Sequence, residues 1–179
     1  MQSDFAIKTC LLSNANIGDL IVLRGPFGDN ALAIVSGDPE GNEHDRHRRA
    51  LFLDVSIRPD APPAAHVYLE PVGQTVINFG RDWHMEPDFN WVTARLGNED
   101  RVQAALAISG DRLFIPATTP SQFRDRAYIN LVDFAETRFL EPEPMHSFIY
   151  GYRVYSSTVA RDRGDAPIFV RPDRRQQPA

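Results

Sequence analysis

Along most of this chain apolar and polar residues alternate with a period of two, and turn-forming residues interrupt the alternation about every 8–12 positions. The cleanest instance in the first half starts at Leu51. Leu51, Leu53, Val55 and Ile57 belong to one face, and Phe52, Asp54, Ser56 and Arg58 to the other. Only an extended strand puts every second side chain on the same side. A helix needs apolar residues three and four apart, and 14 dispersed prolines leave little room for long ones.

The same reading extends along the chain. Phe5, Ile7, Thr9 and Leu11 make a first strand, expected to be buried on most of both faces. Residues 20–23 and 31–35 flank the turn residues Phe27, Gly28, Asp29 and Asn30 as a hairpin. The polar run SGDPEGNEHDRHRR, residues 36–49, is read as an exposed loop. Short strands at 66–70 and 75–79 are stopped by Pro71 and Gly80. Phe89 and Trp91 share one parity while Val92, Ala94 and Leu96 share the other, which predicts a β-bulge near Trp91.

Residues 102–108 and 112–115 read as a hairpin turning at Ser109, Gly110 and Asp111, in preference to a helix over the first of them. Thr119-Pro120 has the chemistry of a helix start, so residues 121–126 are expected to make one or two helical turns. Residues 128–134 and 147–156 read as strands, 158–165 as a polar, mobile loop and 168–170 as a last edge strand. Together these segments predict an all-β chain: an antiparallel β-sandwich or a jelly-roll or barrel-like fold, with at most one or two short helices. Residues 1–160 are expected to form one domain and residues 161–179 a polar, partly disordered extension.

Composition narrows the function classes. The formal net charge of −5 is spread along the chain, which disfavours nucleic acid as a partner. No apolar run reaches the roughly 18 residues of a membrane helix. The N-terminal MQSDFAIKTCLL has neither the charge order nor the cleavage site of an export signal, so a cytoplasmic location is expected. Cys10 is the only cysteine, excluding an intrachain disulfide and a cysteine-rich zinc site.

Two constellations could carry chemistry. His84, Glu86 and Asp88 have strand spacing, and His84 and Glu86 together with His146 would supply two imidazoles and a carboxylate. That is the ligand set of non-haem Fe(II) oxygenases, with Arg153 available for a co-substrate carboxylate. The competing reading is a turn in which Glu86 and Asp88 are solvated, since Pro87 interrupts the strand. The second constellation is aromatic. Trp83 and Trp91, with Tyr150 and Tyr152 and with Arg153 at the edge, could stack against a carbohydrate, or fill a core. His44 and His47 form a weaker metal pair, because Arg46, Arg48 and Arg49 beside them repel a cation.

No nucleophile motif or phosphate loop is present. The leading expectation is a non-catalytic binding or interaction protein without a cofactor, able to form a homo-oligomer and to bind a protein or carbohydrate. A metal-dependent enzyme on His84, Glu86 and His146, with Fe(II) or another divalent ion, is the alternative. A carbohydrate-binding module is the third.

Overall fold

The computed structural model describes residues 8–25, 28–41, 46–56, 63–89, 105–119, 122–137 and 146–172. The chain is all-β, with fourteen strands and one short α-helix among those residues. It divides into two compact units, residues 1–83 and 84–179. No helix among the described residues is long and apolar enough to cross a membrane.

The first unit holds β1 (Lys8–Leu11), β2 (Leu20–Arg24), β3 (Asn30–Val35), β4 (His47–Val55), β5 (Ala64–Pro71) and β6 (Thr75–Gly80). Their order is β1-β6-β2-β3-β4-β5, antiparallel at every step. Only Val72, Gly73 and Gln74 join β5 to β6, and Gln74 N donates to Pro71 O at 3.1 Å in a tight turn. In a flat sheet those strands would stand four spacings apart, about 19 Å, whereas four peptide units reach at most about 15 Å. The sheet is therefore strongly curled.

Its concave face collects one parity from each strand. Ile21 and Leu23, Ala33 and Val35, Ala50 and Phe52, and Val76 are buried there with Leu12 and Ala15, and Cys10 and Tyr68 pack against them. Burial of this cluster is the main drive for the curl, since apolar area removed from water contributes about 25 cal/mol per Å². After β1 a 3-10 turn, Leu12–Asn14, begins the return of the chain to β2. That return is held by Arg48, 4% exposed. Its Nε donates to Gly37 O at 2.9 Å, and its Nη1 to the carbonyls of Leu12, Ser13 and Ala15.

The second unit contains β7 (His84–Pro87), β8 (Leu106–Ser109), β9 (Arg112–Thr119), β10 (Gln122–Asn130), β11 (Glu136–Thr137), β12 (His146–Ile149), β13 (Tyr152–Tyr155) and β14 (Phe169–Arg171). β12-β8-β9-β10-β11 form one antiparallel ladder, and β14-β13-β7 a separate three-stranded sheet. Ala107, Phe114, Phe148 and Tyr150 make a core cluster on the ladder.

Several expectations change. β1 is largely exposed rather than buried on both faces, because among the described residues it pairs only with β6 and lies at the edge. His47, Arg48 and Arg49 belong to β4 and not to a loop. Of the helical turns expected at 121–126, the described residues 122–126 belong instead to β10, whose pairing of Ala127 with Ala117 and Ile129 with Ile115 outweighs the local capping signal. β10 stops at Asn130, where the Asn130 and Asp133 side chains accept from Val132 N and Ala135 N and turn the chain.

The strand expected over 147–156 is two strands in different sheets. It breaks at Tyr150 and Gly151, where Asp88 N donates to Gly151 O at 2.9 Å and Arg171 Nη1 donates to Tyr150 O at 3.2 Å. The polar run after Ser156 holds the helix Thr158–Asp162, capped by Ser157 Oγ accepting from Ala160 N at 3.0 Å. The hairpin of β8 and β9 forms as expected, with Gly110 at φ 61° in its turn. The bulge expected near Trp91 lies outside the described residues.

Candidate functional site

A polar cleft opens in the first unit beside β1 and β6. Lys8, Cys10, Asn14, Asn16, Asp19, Asn78, Phe79, Gly80 and Arg81 line about 520 Å³. Register explains why polar groups collect there. Lys8 lies opposite Asn78, which lies opposite Ile21, so Asn78 shares the concave parity with Val76 one step past the apolar cluster. The β2–β6 pairing also shifts register between Leu20 and Ile21, and Gly80 takes φ 77° beside that irregularity. A bulge of this kind redirects the side chains next to it.

The floor of the cleft is a closed network. Asp19, 3% exposed, accepts at Oδ2 from Asn16 N at 2.9 Å and from Asn78 Nδ2 at 2.8 Å. Asn78 Oδ1 accepts in turn from Gly80 N at 2.6 Å, and its amide reaches Cys10 Sγ at 3.9 Å. Next to Asp19, Gly18 O accepts from Trp83 Nε1 at 2.8 Å. Lys8 and Arg81 are exposed, and among the described residues the side chain of neither makes a hydrogen bond or an ion pair.

In the second unit His84 and Glu86 do share one strand face, as their spacing implied. Pro87 is tolerated because it ends β7, an edge strand. Across the ladder His84 faces Tyr155 and Glu86 faces Arg153. Arg161 donates from Nη1 to His84 Nε2 at 2.8 Å, so the imidazole is an acceptor there and carries its proton on Nδ1. Glu86 Oε2 accepts from the Tyr155 hydroxyl at 3.1 Å and lies 3.8 Å from Arg153 Nη1. Burial lowers the His84 pKa, the Arg161 guanidinium lowers it further, and Glu86 and Asp162 oppose the shift.

A divalent ion on these two residues would stand beside two guanidinium groups, and His84 Nε2 and Glu86 Oε2 already accept hydrogen bonds. The pair suits an ion-paired surface network better than a metal set. His146 opens β12 opposite Ser109, and its side chain lies outside the described residues, as does all of Trp91. Among the described residues no three His, Cys, Asp or Glu side chains gather to hold a metal.

Of the aromatic set, Tyr150 and Tyr152 are buried at 2% and 1%, so they are core side chains. Trp83 is half-buried on its bond to Gly18, and Arg153 is exposed. Asp19 and Asn78 belong to no motif in the sequence. The available signal was a polar residue, Asn78, on the core parity of an otherwise apolar strand. Compared with known protein families, curated proteins and solved structures, the chain matches none of them.

Proposed function

We propose that this chain is a non-catalytic binding protein whose first unit holds a small polar ligand in the cleft beside β1 and β6. The observation that carries the reading is the closed network of Asn16, Asp19, Asn78 and Gly80 under the cleft. Groups already fixed by one another lose little entropy when a ligand arrives, which is what makes a polar site bind. The volume supports it too: about 520 Å³ lies within the usual span of small-molecule sites. Residence in the cytoplasm, where a lone free thiol such as Cys10 stays reduced, is part of the same proposal.

The test is a ligand-observed magnetic resonance screen of polar fragments against the intact chain and against Asn16→Trp. Asn16 is exposed and its backbone makes the bond to Asp19, so the indole fills the cleft without breaking the floor. Fragments that bind the wild type and are lost in the variant support the site. Fragments that bind both equally place binding elsewhere and remove the reading.

A further inference from the structure

We infer that the ligand of this cleft is an organic anion, whose carboxylate or phosphate group is met by Lys8 and Arg81 and whose polar body is met by the asparagines. The inference rests on the reading of the cleft as a binding site and adds the class of ligand.

Charge is the first ground. The lining holds two cations and one carboxylate. They are not equivalent, because Asp19 is 97% withdrawn from solvent, from its 3% exposure, and its Oδ2 is already taken by two donors. Lys8 and Arg81 are exposed and, among the described residues, unpartnered. This occurs in a chain with 24 acidic residues and a net charge of −5, where carboxylate partners are plentiful. An anion in a cleft lined by two exposed cations gains charge-assisted hydrogen bonds and a favourable field. A metal ion or an amine meets the opposite field.

Size is the second ground. Inorganic phosphate or sulfate would occupy a small part of about 520 Å³, which leaves room for a larger body carrying the charged group. Asn14 and Asn16 border the cleft with side-chain amides that offer both donors and acceptors, which suits hydroxyls or amides on that body. A neutral sugar would use the amides and leave both cations unmatched.

Isothermal titration at low salt with glucose 6-phosphate, gluconate, glucose and inorganic phosphate tests this, using wild type, Lys8→Gln and Arg81→Gln. Both positions are exposed, and circular dichroism of each variant checks that it is folded. The two organic anions are expected to bind at least about tenfold tighter than glucose, and each substitution to weaken them by about tenfold, the worth of one charge-assisted bond. Glucose should be unaffected by either substitution. Glucose binding as tightly as the anions overturns the inference alone, as does anion binding that ignores both substitutions or inorganic phosphate matching the organic anions. Absence of binding by all four compounds and by the fragments of the preceding screen removes the cleft as a site, and this inference with it.

Discussion

Asn78 Nδ2 donates to Asp19 Oδ2 at 2.8 Å, joining the last strand of the first unit to the start of its second across 59 positions of sequence. Asp19 is almost wholly buried, so both of its donors depend on it. Asp19→Ala strands Asn16 N and Asn78 Nδ2, and it is expected to lower unfolding free energy by about 1–3 kcal/mol per stranded group at most. Asp19→Asn retains an acceptor and should cost less. Urea denaturation of the two variants checks the order.

Arg48 predicts the largest single loss. Its guanidinium is buried among four carbonyls, those of Gly37, Leu12, Ser13 and Ala15. Arg48→Met keeps the volume and removes every donor, with an expected cost of roughly 3 kcal/mol or more. Arg48→Lys keeps the charge but loses the planar fork, so it rescues only part. Arg163→Ala, which breaks an exposed pair with Asp165, should change stability by less than about 1 kcal/mol in the same denaturation series.

Gly80 separates backbone strain from crowding. It holds φ 77°, and a Cβ there would meet nothing within 4 Å. Gly80→Ala is therefore expected to cost about 1–2 kcal/mol from the left-handed backbone alone. A loss near zero in thermal or urea unfolding would mean that the backbone relaxes to another conformation.

His84 should make stability depend on pH. Its pKa in the fold lies below the ordinary 6.5, through burial first and Arg161 second. The unfolded chain therefore takes up the proton more readily, so this contribution is complete above pH 6.5 and is lost as pH falls through the lower folded value. Glu70 has the opposite sign. Burial raises its pKa above 4.5, with His47 opposing, so its contribution is complete below 4.5 and lost as pH rises through the folded value. His84→Gln should lose less stability than wild type between pH 7 and 5. Arg161→Gln should move the His84 resonance titration upward, toward the ordinary value.

Local signals were readable in the sequence and distant ones were not. The strand at Leu51 and Leu53 and the turn at Gly110 are set within a few residues and form as expected, but a register shift after Phe52 brings Val55 to the cluster of Phe52 rather than to the face of Leu51. Ser157 is equally local, a serine three residues before the amide it caps, but its signal is masked by the polar run around it. Arg48 looked like part of a charged loop because its partners at Leu12 and Ser13 lie 36 and 35 positions away. Alternation ran unbroken through Tyr150 and Gly151, yet the strands on either side join different sheets, a choice that parity cannot express. His84 and Glu86 were placed on the right face, but the guanidinium that meets His84 comes from 77 positions later. The cleft itself depends on a register shift at Leu20, which no periodicity reports.

The most direct measurement is a nitrogen–proton correlation spectrum recorded while glucose 6-phosphate is added to the intact chain. Saturable shifts centred on the amides of Asn16, Asp19, Asn78 and Gly80 are predicted, with those of Glu86 and Arg153 unmoved. Saturable shifts centred instead on the face of His84, Glu86 and Arg153, with the cleft amides still, would contradict the assignment of the cleft as the binding site.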